Sequence, residues 1–202
     1  YLIGKLPIDV VNTLKDMSNE VRLNPIHEKK NSTLAGNLEE EYALMRDADS
    51  LLLPFVSEMA NKLEDVHGGG NYQRVSLKNI GWKHESVWVN FQKKYEFNPV
   101  HNHSGYYSYV TWLQIPYNIE DELNLPHVKN SHSKSASKFS LLYNDANGGI
   151  RCYDLPLTKG DEGLICIFPS RTHHQVYPFY TSDDYRISIS GNLVPKNCTG
   201  VL

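Results

Sequence analysis

Cysteine is scarce in this chain: Cys152, Cys166 and Cys198 are the only three in 202 residues. An odd count at wide spacing builds neither a disulfide framework nor a zinc ribbon. It is the usage of reduced thiols in a cytoplasmic protein, with Cys152 and Cys166 falling in strand-like runs. Charge of one sign is also lacking, since the formal net charge is −3. No polyelectrolyte surface is available, so no nucleic-acid partner is expected. No apolar run approaches the ~18 residues of a membrane span, so no membrane partner is expected either. A signal peptide is missing, although the chain begins at Tyr1 rather than Met, which leaves room for a removed leader. Without a secretion signal, the sequons at Asn31 and Asn197 read as chance. Internal repeats and coiled-coil heptads are absent. What remains is ordinary globular composition, 40% hydrophobic, sufficient for one domain over 1–202 with a sizeable core. Oligomeric state is not legible.

The first third, 1–67, reads as helical. Pro7 suits a first turn, and Val10, Val11, Leu14, Met17 and Val21 follow at helical spacing until Asn24-Pro25 breaks the pattern. A second helix is expected from Asn37, with Glu40 completing a capping box and Tyr42 and Met45 on its apolar stripe. A third is expected over Leu51–Leu63, capped by Ser50, unless one long helix runs through Pro54; Gly68-Gly69-Gly70 stops it. Beyond that, 71–195 reads as β. Short runs at Gln73–Ile80, Val87–Lys93, Tyr106–Ile115, Phe139–Tyr143, Ile150–Tyr153, Gly163–Phe168 and Tyr185–Leu193 are separated by turn signals such as Asn98-Pro99 and Asn147-Gly148-Gly149. Strands at that spacing indicate a sandwich or barrel, with helices packed on the larger sheet. The polar stretch Asn118–Lys138 shows no clear element and reads as a lid or a surface loop, with His127 and His132 solvated.

Histidine carries more information. Nine are present, and four lie in two short stretches, His101-Asn102-His103 and His173-His174. Side chains two residues apart on an extended chain share a face. His101 and His103, at the start of a strand, can therefore reach one ion, with a third imidazole arriving from the later pair. Imidazole suits iron, zinc, copper and nickel. Downstream, Arg186, Ser188 and Ser190 alternate with Ile187 and Ile189. If the isoleucines pack toward the helices, Arg186 faces the interior, where a buried guanidinium calls for an anion such as a carboxylate; the alternative is an exposed edge strand with an ordinary surface arginine.

In order along the chain, Trp88-Val89-Asn90, then Asn98-Pro99-Val100-His101-Asn102-His103-Ser104-Gly105 with its following strand to Ile115-Pro116, then Gly163–Ser170, the distal histidine before Val176-Tyr177-Pro178, and Arg186–Asn192 resemble the Fe(II)- and 2-oxoglutarate-dependent oxygenases. The small prolyl-hydroxylase-like members of bacteria and bacteriophages are the nearest in look. The resemblance covers about half of the chain and rests on motif order. It implies a mainly β double-stranded β-helix, of jelly-roll or cupin-like form, with N-terminal helices on the major sheet. It implies Fe(II) as cofactor and 2-oxoglutarate as co-substrate. By the family register, His101 and His174 are metal ligands, His174 being selected over His173. Arg186 binds the distal carboxylate with Ser188 assisting, and Asn90 contacts the co-substrate. The implied reaction is hydroxylation of a protein side chain or small molecule with release of succinate and CO2. No catalytic acid or base beyond the ligands is needed.

One departure is notable. The usual second ligand is a carboxylate, and His103 stands there instead. Either His103 completes a three-histidine site, or another acid such as Asp145 or Asp154 serves, or the site is inactive. Trp88, Trp112, Tyr106, Tyr107 and Tyr109 shape the pocket or, more simply, fill the core. Two further readings stay open: a three-histidine cupin-like metalloenzyme without 2-oxoglutarate, and a non-catalytic jelly-roll binding or structural module.

Overall fold

Strand alternation decides the architecture. In a computed structural model describing residues 1–24, 28–67 and 81–196, ten strands form two antiparallel sheets. The strands are β1 (Leu2–Lys5), β2 (Glu40–Ala43), β3 (Trp82–Gln92), β4 (Asn98–His101), β5 (Tyr107–Gln114), β6 (Phe139–Asn144), β7 (Ile150–Leu155), β8 (Leu164–Pro169), β9 (His174–Val176) and β10 (Arg186–Pro195). The larger sheet has the order β1-β8-β5-β10-β3-β2, and the smaller β4-β9-β6-β7. The fold is mainly β, of jelly-roll type, with helices against the larger sheet. The expected strand over Gln73–Ile80 and the three glycines before it lie outside the described residues, as does Cys198. Cys152 and Cys166 are free thiols, in β7 and β8 respectively.

The larger sheet has a core on its helix side, and on its other face β5 and β8 supply a second core while β3 and β10 turn polar residues toward a cavity. On the helix side, Val89, Ile187, Ile189 and Leu193 pack with Leu14, Leu52, Val56 and Leu63. Between the sheets lie Val110, Trp112, Phe139, Leu141, Phe168 and Phe179. Each such buried side chain contributes about 1.5–3 kcal/mol over leaving it exposed. Helix α1 (Ile8–Leu23) presents Val11, Leu14 and Val21 to the sheet. It ends where Asn24 turns extended, φ −102° and ψ 110°, as the residue before a proline prefers.

Three expectations for the first third are corrected. Leu2–Lys5 is an edge strand on β8 that carries no strong local signal. Asn37–Glu40 caps no helix, because Glu40–Ala43 pairs with β3 as a strand. Glu40 and Tyr42 face the helix side, where Glu40 meets Arg22 and Tyr185 and Tyr42 joins the core. Glu41 faces the other way, and this period of two is tertiary pairing overriding local preference. Ser50 caps no helix start either; of the two readings for this stretch the single long helix is the one found, α2 running over Met45–His67 with Pro54 inside. Pro54 is exposed, so the carbonyl left without an N–H partner can meet water.

Asn118–Lys138 is not structureless. It contains α3 (Ile119–Leu123), capped by the Asn118 side chain. The fully buried Glu122 accepts hydrogen bonds from the Tyr180 and Thr181 N–H groups and the Thr181 hydroxyl. Its carboxylate ties this segment to the loop before β10. His127 and His132 are exposed.

Candidate metal centre

Pairing of two short strands brings the histidines together. In the β4–β9 register His101 is opposite His174, so both side chains leave the same face. His101 is the last residue of β4 rather than the start of a strand, and His103 lies in the loop beyond, two corrections to the expected placement. The His103 N–H donates to the Ser170 carbonyl at 2.9 Å, which folds that loop back onto the end of β8. One nitrogen from each of His101, His103 and His174 falls within a cluster no wider than 4.8 Å. His174 is 4% exposed, whereas His173 is on the surface beside Asn102.

Hydrogen bonds orient two of the rings. His101 Nδ1 meets the Pro99 carbonyl at 2.7 Å, and His174 Nδ1 meets the Thr172 carbonyl at 3.1 Å. A carbonyl only accepts, so each Nδ1 carries the proton and each Nε2 is left with a free lone pair. Burial holds all three imidazoles neutral. It pushes His103 down to about 4, with His101 adding to the effect. His101 is lowered by burial against the raising influence of the Pro99 carbonyl. His174 falls well below the usual range, through burial and then its two histidine neighbours. Neutral imidazole is the form that binds a metal. Phe168 and Phe139 flank the His174 ring at 4.9 and 5.7 Å between centroids, and Trp88 flanks His103 at 5.4 Å.

The same cavity is lined by Asn90, Arg186 and Ser188 together with the three histidines. Arg186 is 1% exposed. Among the described residues no carboxylate pairs with it; its hydrogen bonds go to the Gln92 and Tyr117 side chains and to the Ser137 and Tyr177 carbonyls. Ser188 is opposite Asn90 in the β10–β3 register, and Asn90 Nδ2 donates to Ser188 and Ser190 at 3.3 and 3.4 Å. Among the described residues Asn90 Oδ1, which is buried, has no partner. Asp145 and Asp154 do not join the histidines. Asp145 closes the β6–β7 turn with Arg151, and Asp154 bonds Ser140 and Lys138.

The family described as 2OG-Fe(II) oxygenase (2OG-FeII_Oxy_5) matches residues 86–192, just over half of the chain. The chain belongs to the 2OG-Fe(II) oxygenases. Solved structures agree on the fold. A prolyl-4-hydroxylase of Pseudomonas putida superposes with TM-score 0.56 at 13% identity, covering 97% of this chain and 92% of that one. A Trichoplax adhaerens prolyl hydroxylase, in complex with a hypoxia inducible factor peptide, gives 0.55 at 13% identity, covering 95% and 81%. HygX from Streptomyces hygroscopicus, with nickel, 2-oxoglutarate and hygromycin B bound, gives 0.55 at 11% identity, covering 98% and 84%. No curated protein matches the chain in sequence.

As a 2OG-Fe(II) oxygenase the chain is an oxidoreductase, with Fe(II) as cofactor and 2-oxoglutarate as co-substrate. Its residues fit both. His103 Nε2 and His174 Nε2 stand 3.1 Å apart, and two imidazole nitrogens ~2.1 Å from one ion at a right angle stand about 3 Å apart. A buried guanidinium without a carboxylate partner fits the far end of a dicarboxylate. Reading the sequence alone missed Gln92, the residue of the cavity wall that touches Arg186. Its signal was there: Trp88, Asn90 and Gln92 alternate with Val87, Val89 and Phe91, placing two amides on the interior face. Among the described residues no helix is long and apolar enough to cross a membrane.

Proposed function

We propose that this oxygenase is a hydroxylase of a protein side chain or a small molecule, releasing succinate and CO2. The observation that carries the reading is one cavity lined by three converging neutral imidazoles and by Arg186. His101, His103 and His174 hold the metal, with the Pro99 and Thr172 carbonyls fixing the tautomer of two of them. Three neutral ligands leave the metal more positive than the usual pair of imidazoles with one carboxylate.

Bound Fe(II) and 2-oxoglutarate supply the oxygen activation and the oxidative decarboxylation. The chain supplies binding, orientation and exclusion of water. Arg186 takes the distal carboxylate and Ser188 donates its hydroxyl to it. Asn90 holds Ser188 and Ser190 in place through Nδ2. Phe139, Phe168 and Trp88 keep the metal side of the cavity dry. No proton transfer at a side chain is required, so no general acid or base is assigned.

A groove of about 290 Å³ lined by Lys30, Leu34, Ser86, Trp88, His103 and Asn192 abuts the cavity. Trp88 and His103 line both spaces, so a substrate in the groove lies against the metal centre. The bound peptide of one structural relative and the hygromycin B of another support a peptidyl or small-molecule substrate.

The test is an anaerobic titration of Fe(II)-loaded protein with 2-oxoglutarate, following the visible charge-transfer band of a chelated keto acid. A band that disappears in both His174→Ala and Arg186→Ala is expected. Iron binding without a band would move the reading to a three-histidine metalloenzyme that does not use 2-oxoglutarate.

A further inference from the structure

Arg186 has no free hydrogen. A guanidinium carries five N–H groups, and here all are engaged. Nε donates to Gln92 Oε1 at 3.1 Å, and Nη2 donates to the same oxygen at 2.7 Å. The second Nη2 hydrogen goes to the Tyr177 carbonyl at 2.8 Å. Nη1 donates to the Tyr117 hydroxyl at 3.1 Å and the Ser137 carbonyl at 2.7 Å. An incoming carboxylate must therefore remove at least one acceptor before it can bind.

The acceptors are not equally removable. Two are backbone carbonyls, and the Tyr117 ring is buried against Phe179 at 5.2 Å between centroids. Gln92 is a side chain, and it is the one of these residues that lines the cavity. Its single oxygen covers the Nε–Nη2 edge, one of the edges a carboxylate grips with two parallel hydrogen bonds. Gln92 is opposite Arg186 in the β10–β3 register, so its place on the guanidinium is built by the sheet. Its own Nε2 donates to the Glu96 carbonyl at 2.5 Å, which holds the amide oxygen toward Arg186.

We propose that Gln92 is a gate on Arg186: a neutral stand-in that the distal carboxylate of the co-substrate displaces, so that this one side chain sets the affinity for dicarboxylates. The Gln92 bonds already draw on the guanidinium charge, but a carboxylate adds an opposite charge and grips the edge with two parallel hydrogen bonds, so the exchange runs toward the carboxylate, while the bonds Gln92 gives up reduce the gain. The inference rests on the reading that Arg186 takes the distal carboxylate. It predicts an effect confined to ligands that have one.

The experiment is equilibrium dialysis of Mn(II)-loaded protein, with 2-oxoglutarate and with 2-oxobutyrate, which shares the keto acid but lacks the distal carboxylate. Gln92→Met keeps the length and removes the acceptor. It is expected to bind 2-oxoglutarate roughly tenfold tighter, since two bonds to a charged donor no longer break, with 2-oxobutyrate unchanged. Gln92→Glu places an internal carboxylate on the same edge and is expected to weaken 2-oxoglutarate at least tenfold, again without effect on 2-oxobutyrate. Unchanged or weaker 2-oxoglutarate binding in Gln92→Met overturns the gate, as does wild-type affinity in Gln92→Glu, which still decides if Gln92→Met does not fold. Equal shifts for both ligands also overturn it, because they mark general damage to the cavity. Wild-type protein that holds Mn(II) but binds no 2-oxoglutarate sinks the underlying reading of Arg186 itself.

Discussion

Glu41 is the residue whose chemistry is most exposed to test. It sits on the interior face of β2, opposite Asn90, and its side chain is fully buried. Among the described residues Oε1 has no hydrogen-bond partner, and Oε2 has a long contact of 3.5 Å with Asn31. Burial, and then the Glu96 carboxylate, push its pKa from 4.5 to about 7. The proton is held more tightly in the folded chain than in the unfolded one. Glu41 therefore favours folding in acid, and that contribution is lost as pH rises from about 4.5 through about 7. A shift of about 2.5 units at 1.36 kcal/mol each corresponds to about 3 kcal/mol. Urea denaturation of wild type and Glu41→Gln at steps between pH 4.5 and 8.5 isolates this group, because titrations not coupled to Glu41 cancel in the difference. Wild type should lose about 3 kcal/mol relative to Glu41→Gln across that range and run level with it above neutrality. Parallel curves would refute the reasoning and mean that the carboxylate is ionised and compensated where it stands.

Further outcomes follow from the same contacts. His174→Ala should abolish high-affinity Mn(II) or Fe(II) binding in a calorimetric titration, whereas His173→Ala, on the surface, should leave it intact. Gly191→Ala should destabilise by about 1–3 kcal/mol in chemical denaturation. Its new Cβ would lie 2.5 Å from the Tyr109 hydroxyl, which must move and break its 3.0 Å contact with His84. Glu122→Ala should cost about 1–3 kcal/mol, because the Tyr180 and Thr181 N–H groups lose their acceptor. Amide exchange should then accelerate at those two residues first, and unchanged exchange would remove Glu122 as the anchor of that loop.

Where local pattern and tertiary pairing agreed, the sequence was readable. The alternation at Arg186–Ser190 puts isoleucines under the helices and polar groups inside: Ile187 and Ile189 lie in the helix-side core, and Arg186, Ser188 and Ser190 line the cavity. Edge strands were the failure. Leu2–Lys5 is four residues long, too short for a periodic signal. Glu40–Ala43 follows residues that favour a helix cap and becomes a strand only because β3 offers a free edge. The same limit applies at the site: local pattern puts His101 at the start of a strand, although Asn98–His101 is itself the strand.

The sequence by itself determined two helices in the first third, the β-rich remainder, the order of the histidine and arginine motifs and, through that order, the oxygenase family. These depend on residue type and spacing along the chain. Only the tertiary structure decided which ring nitrogens converge, that His173 turns outward, that Asp145 and Asp154 serve turns and strands elsewhere, and that Gln92 covers Arg186. The reason is physical: a side chain's partner across a sheet is set by strand order and register. Those depend on residues tens of positions away, and no local window contains them.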